Sequence, residues 1–357
     1  MKLSIAYYIS GHGFGHAARQ SPVIELLAAQ GVRVYVRSPA PGKFFAGPGV
    51  EHHPGQYDIG MIQSDALNID VRASLAGYAD FLEGQDDLIA REVAFIREKD
   101  VQLIASDMPP IAFEIAARAG LPSVAITHFT WDWIYTHYLD DYPQYRPVVD
   151  SITASYGKAT LALQMPFAHE FEMFPRVEPV PLLVNALTGS RASIRAELKV
   201  PSDHKMALLS MGGQSWGRTD ISALRQMTGW TFLVMPDSWE QVRTRPNFRL
   251  IPTDYEDYHN LIAAADVVVG KSGGTTTAQC IAYRTPIIYT ARGDYRENGL
   301  LKDALDRYAH SRFLDRENFE AGAWAGMLDS FVETPFDWPP IATNGAEVVV
   351  RRLLQFG

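Results

Sequence analysis

Short apolar runs alternate with longer amphipathic stretches along the first half of the chain. The strand candidates, which are β-branched and short, are "LSIAYYI" (3–9), "VRVYVRS" (32–38), "VQLIASD" (101–107) and "LPSVAITHF" (121–129). Apolar residues recur at helical spacing in "PVIELLAAQG" (22–31) and "PPIAFEIAARAG" (109–120), and Gly120 marks a helix end. Strand and helix in close succession predict crossover units and a parallel sheet.

The same rhythm starts again after residue 200. Its strand candidates are "KMALLSM" (205–211), "TFLVM" (231–235), "DVVVGKS" (266–272) and "TPIIYTA" (285–291). Its helix candidates are "TDISALRQM" (219–227), "YHNLIAAA" (258–265), "TTTAQCIAY" (275–283) and the terminal amphipathic "GAEVVVRRLLQF" (345–356). Residues 176–200 lack clean periodicity and predict a linker leading into a short helix. The pattern predicts an α/β protein with two doubly wound, Rossmann-like domains facing a central cleft.

Composition narrows the function classes. The 357 residues are 47% hydrophobic and 20% charged, with a net charge of −9 and no Lys/Arg-rich run, which argues against a nucleic-acid partner. The single cysteine, Cys280, excludes an internal disulfide framework and is typical of a reducing compartment. No apolar run is long enough for a transmembrane segment, and the N-terminus is too short and polar for a signal peptide. A cytoplasmic protein is expected.

Glycine and polar residues cluster at four strand ends: "SGHGFGH" (10–16), "ASDMPP" (105–110), "MGGQSWG" (211–217) and "GKSGGTTT" (270–277). Ligands of open parallel sheets bind at these ends. In the first loop His16 replaces the third glycine of the dinucleotide fingerprint, and Arg37-Ser38 replaces its acidic residue, which disfavours NAD. His16 can take a proton from a substrate hydroxyl, or it can cap the next helix. Asp107 can support a histidine, or it can cap the helix near Pro109.

The glycine turns of the second half are suited to a diphosphate, because helix N-termini attract anions. Lys271 adds charge, and Ser272 and Thr275–Thr277 add hydroxyl groups. The Walker pattern is absent, which disfavours a kinase or ATPase of that class. "GDYREN" (293–298) is suited to sugar hydroxyls or forms a solvated loop. The aromatic stretch 128–145 provides faces for a pyranose ring or for domain packing, and no metal site is predicted, since His128 and His137 lack ligand spacing.

These motifs resemble those of GT-B glycosyltransferases. "GFGHAARQSPVIELL" is similar to the glycine-histidine loop of inverting nucleotide-sugar transferases, and "AADVVVGKSGGTTTAQCIAYRTPII" to their donor signature. "SGHGFGHAAR", "FTWDWIY", "VGKSGGTT" and "DYREN" occur in the order found in the glycosyltransferase-like N-terminal region of plant L-arabinokinases. The peptidoglycan N-acetylglucosaminyltransferase family is more distantly similar. The resemblance implies an acceptor domain of residues 1–185 with the C-terminal helix 341–357 crossing back onto it, and a donor domain of residues 190–338.

The resemblance also implies roles for individual residues. His16 matches the general base, and Asp107 matches the carboxylate that supports it. The implied donor-binding residues are Gly13, Gly15, Gly212, Gly213, Gln214, Lys271, Ser272, Gly273, Gly274, Thr275, Gln279, Asp294, Glu297 and Asn298. The implied acceptor-binding residues are His12, Phe14, Phe129, Trp131, Asp132 and Trp133. Gln279 departs from the family, because it stands where the peptidoglycan enzyme has a glutamate for the donor ribose.

The expected reaction is inverting transfer of a hexosyl or pentosyl group from a nucleotide-diphosphate sugar to the hydroxyl of a small molecule or glycan. In this family the donor is UDP-linked, and neither a metal nor a cofactor is expected. Two alternatives stay open. A non-catalytic sugar-nucleotide sensor is suggested by the fused plant region and by Gln279. A nucleotide-sugar 2-epimerase has the same architecture, but its acidic signature is not found here.

Overall fold

The computed structural model describes residues 3–212, 219–236, 242, 245–252 and 255–357. They form two compact units. The first unit comprises Met1–Ile62, Asp70–Val184 and Ala342–Gly357, and the second comprises Gln63–Ile69 and Asn185–Ile341. The second unit therefore includes a short segment of the first half, which the sequence pattern does not indicate. Among the described residues, no helix has the length and apolar character needed to cross a membrane.

The described strands and helices alternate along the chain. The strands are β1 (Ser4–Ile9), β2 (Arg33–Arg37), β3 (Val50–His53), β4 (Ile62–Gln63), β5 (Ile69–Asp70), β6 (Leu103–Asp107), β7 (Ser123–Thr127), β8 (Leu161–Gln164), β9 (Val177–Pro179), β10 (Lys205–Ser210), β11 (Trp230–Val234), β12 (Phe248–Leu250), β13 (Val267–Lys271), β14 (Ile287–Thr290) and β15 (Ser311–Phe313). The helices are α1 (Phe14–Ala29), α2 (Val71–Glu83), α3 (Gln85–Glu98), α4 (Ile111–Ala119), α5 (Trp131–Thr136), α6 (Arg146–Tyr156), α7 (Arg191–Glu197), α8 (Tyr258–Ala264), α9 (Gly274–Tyr283), α10 (Glu297–Tyr308), α11 (Arg316–Glu320), α12 (Leu328–Glu333) and α13 (Gly345–Leu353).

The first unit is built on a seven-stranded sheet in the order β3-β2-β1-β6-β7-β8-β9. Every neighbouring pair is parallel. Ile5, Tyr7 and Ile9 of β1 enter one core, which also includes residues of α1 and α13. Ala6 and Tyr8 enter a second core, formed with residues of α3 and α4. Because β1 is buried on both faces, the unit is doubly wound, as its apolar strands predict.

Helix α1 begins earlier than its apolar pattern suggests. It starts at Phe14 inside the glycine loop and runs through Pro22. Proline has no N–H to donate to the carbonyl group four residues earlier. The hydroxyl of Ser21 donates to the Ala18 carbonyl instead, at 3.0 Å, and so satisfies the group that Pro22 leaves unpaired. This extension brings the first turn of α1 to the carboxyl end of the sheet.

The second unit has a six-stranded parallel sheet in the order β12-β11-β10-β13-β14-β15. Both strand orders are of the Rossmann kind, with the first strand of the unit inside the sheet. Leu67, from the inserted segment 63–69, is buried in the core of this unit. The carboxyl ends of β10, β13 and β14 lie side by side, which places residues 211–212 and the loops 270–277 and 293–298 at one edge.

Two predicted elements are wrong. The stretch 219–227 was expected to be an α-helix, but it contains only the short 3-10 helix Ser222–Gln226, in which Leu224 is the buried residue. Ile221 and Leu224 are both buried in the core of this unit, but the backbone of the stretch bonds to other segments: the Asp220 N–H donates to the Glu320 carbonyl, and the Asn247 amide donates to the Leu224 carbonyl. The stretch 176–200 was expected to be a linker leading into a short helix; the helix is confirmed as α7, but the linker part contributes β9, an edge strand paired with β8. Pro179 ends this strand, where a missing N–H is tolerated.

Two helix ends give a prediction about stability. Gly120 closes α4 at φ 72°, and Arg284 closes α9 at φ 58° with its side chain exposed. Left-handed backbone is strained for arginine and not for glycine. Arg284→Gly is expected to raise the free energy of unfolding by about 0.5–1 kcal/mol, and Gly120→Ala to lower it by a similar amount. A methyl group at Gly120 would meet no atom within 4 Å, so the loss of stability in Gly120→Ala would come from backbone strain and not from a steric clash. Urea unfolding measures both changes, and a change in the free energy of unfolding of the same sign in the two variants would contradict this prediction.

Candidate active site

The carboxyl ends of β1, β6 and β7 bring His16 and Asp107 together. Gly13, at φ 73°, ends the glycine loop and opens α1, so that His16 falls in the first turn of the helix. The Nδ1 atom of His16 lies 3.1 Å from Oδ1 of Asp107, the last residue of β6. Both side chains are buried. Asp107 does not cap α4, whose N-cap is Pro110; the pairing with a histidine is the arrangement found.

Asp107 has two further partners that the sequence analysis missed. Arg19, one turn after His16 on α1, donates to Oδ2 through Nε at 2.6 Å and to Oδ1 through Nη2. The amide of Gln20 donates to Oδ2 at 2.8 Å. Burial alone would raise the pKa of Asp107, but the charge of Arg19 and the contact with His16 hold this pKa far below its usual range. Asp107 is therefore a carboxylate with both oxygens occupied.

Two groups compete for a hydrogen bond with Nδ1 of His16. Arg19 Nη2 lies 2.8 Å from this atom, closer than Asp107 Oδ1. A guanidinium only donates and a carboxylate only accepts, so the two hydrogen bonds need opposite protonation states of Nδ1. Burial and the charge of Arg19 lower the pKa of His16, against the opposing effect of Asp107. Burial and Arg19 therefore both disfavour the protonated imidazole of His16.

A second buried carboxyl group, Asp58, lies at the same edge and was also missed. It accepts a hydrogen bond from Nε1 of Trp131 at 2.8 Å and is hydrogen-bonded to the Ser10 side chain. Burial raises the pKa of Asp58 to about 6, although both hydrogen bonds act against the shift. The ring of His12 packs edge-on against Trp131 at 5.4 Å, and its Nδ1 accepts from the Met61 N–H at 3.3 Å.

The predicted acceptor residues are spread between the interior and the surface of the first unit. Trp131 and Phe129 are fully packed, with ring centres 5.7 Å apart, and the ring of Phe129 lies 6.0 Å from that of His16. Asp132 is buried and accepts from the Thr153 hydroxyl at 3.1 Å. Trp133 is half-buried and stacks on His169 at 4.6 Å. Phe14 is exposed and contacts Phe44. Phe14 and Trp133 are thus the more accessible aromatic rings of this set.

In the second unit, Lys271 ends β13 with its side chain buried. A methyl group built on Gly212 would lie 3.7 Å from Lys271 Nζ, so the ammonium group reaches the turn after β10. Burial, together with the charge of Arg292, lowers the pKa of Lys271 to about 7, and the charge of Glu297 only partly opposes this. A buried amine held near Gly212 is suited to an anionic ligand.

Helix α9 begins immediately after this lysine. Its N-cap is Gly273, without a side-chain cap, so its first turn offers backbone N–H groups beside Lys271. Gly274 and Thr275 form this turn and are half-buried. Ser272 turns inward, and its N–H donates to the Thr290 carbonyl at 3.0 Å. The turn and the ammonium group together form a positive edge, as the glycine pattern predicts.

The loop after β14 packs around Arg292, a buried cation that the sequence analysis passed over. The Asn298 amide donates to the carbonyl groups of Arg292 and Gly293. Asn298, which was predicted to bind the donor sugar, therefore stabilises the conformation of this loop. Asp294 is exposed and Glu297 is buried. The inserted segment adds a bond from the Gly293 N–H to the Leu67 carbonyl at 3.0 Å.

The remaining donor positions differ in how they are placed. Gln279 is buried and its amide donates to Asn185 Oδ1 at 3.3 Å. Gly15 lies half-buried in the first turn of α1. Gly213 and Gln214 lie outside the described residues. Across the part of the chain that the structure describes, no group of three or more His, Cys, Asp and Glu side chains is placed to hold a metal ion.

Comparison with solved structures shows the same architecture over the full chain. UGT2 of Phytolacca americana, solved with UDP-2-fluoro-glucose and pterostilbene, matches 99% of this chain and 94% of its own with a TM-score of 0.60 at 11% identity. The glycotransferase of kitacinnamycin matches 99% and 95% with a TM-score of 0.64 at 15% identity. The glycosyltransferase VinC, solved with dTDP, matches 99% and 100% with a TM-score of 0.56 at 15% identity. The chain has the GT-B glycosyltransferase fold.

A curated relative is similar to this chain at the level of sequence. L-Arabinokinase of Arabidopsis thaliana is 32% identical over 337 residues, which is 92% of this chain. The chain spans about a third of the length of that protein, since the match covers 32% of it. No protein-family model matches the chain. The resemblance and the fold class expected from the motifs are confirmed.

The residues missed in this GT-B protein share one cause. Arg19 follows His16 by three positions, a spacing that places both on one helix face, and this was the signal available for it. Asp58 and Arg292 lie in irregular segments, "GQYDIG" and "TARGDY", where no periodicity marks a residue as buried. Their burial depends on contacts with distant segments.

Proposed function

We propose that this GT-B protein is an inverting glycosyltransferase that moves a sugar from a nucleotide-diphosphate sugar to an acceptor hydroxyl. The observation that carries the proposal is the buried His16–Asp107 pair at the carboxyl edge of the first sheet. Proton removal from a hydroxyl needs a neutral imidazole within the site, supported by a carboxylate. The lowered pKa of His16 and the still lower pKa of Asp107 are suited to these two roles.

The proposed reaction uses the Nδ1–H tautomer of His16, which forms when Arg19 Nη2 gives up its contact with Nδ1. In this tautomer Nδ1–H donates to Asp107, and Nε2 takes the proton of the acceptor hydroxyl. The acceptor oxygen then bonds to the anomeric carbon while the bond from that carbon to the diphosphate breaks, with inversion at the carbon. Asp107 stabilises the imidazolium that forms. The half-buried Trp133 and exposed Phe14 are the aromatic residues we assign to acceptor contact.

The second unit would hold the donor. We assign the leaving diphosphate to Lys271 and to the uncapped first turn of α9, because their positive potential offsets the charge that develops as the sugar leaves. This positive edge supports transfer without a metal ion. Asp294 and Glu297 are assigned to sugar hydroxyls, and Gln279 to the ribose. The solved structures with UDP-2-fluoro-glucose and with dTDP support a nucleotide-sugar donor of hexosyl or pentosyl type, UDP-linked by resemblance.

Ligand-induced stabilisation is the first test. UDP and UDP-sugars are expected to raise the melting temperature, because a ligand that binds only the native state stabilises it by ~2.7 kcal/mol at 100 times its Kd. Thermal-shift measurements should include UMP, dTDP and GDP as controls for phosphate number and base. Addition of a chelator is expected to leave the UDP shift unchanged. No shift with any nucleotide diphosphate or its sugars would contradict the proposal.

A sensor function is the second candidate, and one observation favours it. Arg19 already occupies both oxygens of Asp107. This contact weakens the catalytic assignment of Asp107 and leaves the donor groups assigned in the second unit unaffected. Long incubation of bound donor, with and without acceptor hydroxyls, separates the functions. Transfer or slow hydrolysis supports the transferase, unchanged donor supports the sensor, and a donor changed at C2 indicates the epimerase.

A further inference from the structure

Arg19 joins the ends of β6 and β7 to the first turn of its own helix, α1, through a single side chain. Its Nε and Nη2 groups donate to Asp107 at the end of β6. Its Nη1 group lies 2.8 Å from Nδ1 of His128, just after β7, and Nη2 lies 2.8 Å from Nδ1 of His16 on α1. Arg19 and Asp107 are both buried, so water screens these contacts little.

The contacts of Arg19 affect whether Nδ1 of His16 can carry a proton. A protonated imidazole carries hydrogen on both ring nitrogens and cannot accept from Arg19. Protonation of His16 therefore costs the Nη2 contact and places a second positive charge beside the guanidinium. Asp107 would offset that charge, but it is already paired with Arg19.

We propose that Arg19 is a positioning residue that sets the protonation of His16 by holding Asp107 and opposing a proton on Nδ1. Without Arg19, Asp107 would face His16 as an uncompensated carboxylate, and the imidazole would become a stronger base. With Arg19 present, His16 stays neutral while Asp107 stays ionised. The consequence for catalysis rests on the proposed transfer reaction, whereas the titration of His16 does not.

The other charged and titratable groups near His16 are few among the described residues. His128 faces it from the β7 end and also acts to lower its pKa. His12 lies in the glycine loop, with ring centres 6.3 Å apart. Asp58 lies near Asp107, whose charge acts to raise the pKa of Asp58. Arg19→Met leaves these residues unchanged in sequence but also removes the Nη1 contact with His128, so the titration of His128 is followed in the same spectra.

The test is an NMR titration of ¹⁵N-labelled imidazole groups in the full chain, with His16 assigned from the spectrum of His16→Gln. In Arg19→Met the titration midpoint of His16 is expected to rise by about one pH unit or more, the size typical of a nearby charge. The population of the Nδ1–H tautomer should rise as well. Arg19→Lys, which keeps the charge, should leave the midpoint nearer to that of the wild type.

The chain offers a matched control in Arg37, which forms a second buried double contact with a carboxylate, Glu92, in the same unit. Arg37→Met should lower stability in a similar way and leave the His16 midpoint unchanged. Should Arg19→Met fail to fold, Asp107→Asn serves instead, and its midpoint should move below that of the wild type. An unchanged or lowered midpoint in Arg19→Met, or a raised one in Asp107→Asn, overturns the proposal.

The pH profile of kcat/KM provides the catalytic readout. Its acidic limb should move with the NMR midpoint in Arg19→Met. If the NMR midpoint of His16 shifts in Arg19→Met and the acidic limb of the kcat/KM profile does not, the inference about Arg19 stands and His16 is not the general base. If neither moves, Arg19 has a structural role only, and the test of His16 as a base is independent of that result.

Discussion

Alanine at position 16 is expected to lower the rate of sugar transfer by at least ~100-fold, the usual contribution of a general base. The variant loses the imidazole whose Nδ1 lies 3.1 Å from Oδ1 of Asp107. Binding of the nucleotide diphosphate should be unchanged, because the groups assigned to it belong to the second unit. Steady-state kinetics with saturating donor and calorimetric titration with UDP measure the two effects separately.

His52→Ala is the matched control for this experiment. His52 lies in the same unit, donates to the Ser38 carbonyl through Nε2 at 2.9 Å, and packs on Phe45. Its loss removes a half-buried imidazole from β3 without touching Asp107. Turnover should stay near that of the wild type. Near-normal turnover in His16→Ala would remove His16 from the mechanism, whatever the control shows.

Methionine at position 271 is expected to weaken the binding of nucleotide diphosphates by about 10- to 100-fold, the loss of one charge-assisted hydrogen bond of ~1.5–3 kcal/mol. The affinity of the wild type should fall above about pH 7, where Lys271 becomes neutral in the free protein, by up to tenfold per pH unit. Lys271→Met should lose this pH dependence. Calorimetric titration with UDP between pH 6 and pH 9 measures both effects.

Stability without ligand provides an independent check on Lys271. The pKa of Lys271 is about 7 when folded and near its ordinary value of 10.5 when unfolded. Between these values the unfolded chain binds more protons, so the contribution of Lys271 to the free energy of unfolding rises with pH. The wild type should gain stability relative to Lys271→Met across this window. Lys205→Met, at a lysine paired with Asp329 and Glu333, is the control and should leave UDP affinity unchanged. Equal UDP affinity in wild type and Lys271→Met would exclude Lys271 from the donor site.

The fold was predictable in outline because its strands are short, apolar and buried on both faces, as β1 and β13 illustrate. The errors lie where local pattern and tertiary contact disagree. The stretch 219–227 has helical spacing, but its backbone is hydrogen-bonded to distant segments, and β9 has little apolar character but pairs with β8 at the sheet edge. The start of α1 was hidden because glycine and histidine precede its apolar face.

The sequence by itself determined that two parallel sheets form and that His16, Asp107 and Lys271 stand near their carboxyl ends. That follows from local physics, since apolar periodicity defines strands and helices, and glycine marks the turns between them. Only the tertiary structure decided that Arg19 occupies Asp107, 88 positions away along the chain, and that Lys271 is buried beside Gly212. The protonation of a side chain depends on burial and on charges brought close by folding, and neither is encoded in the spacing of neighbouring residues.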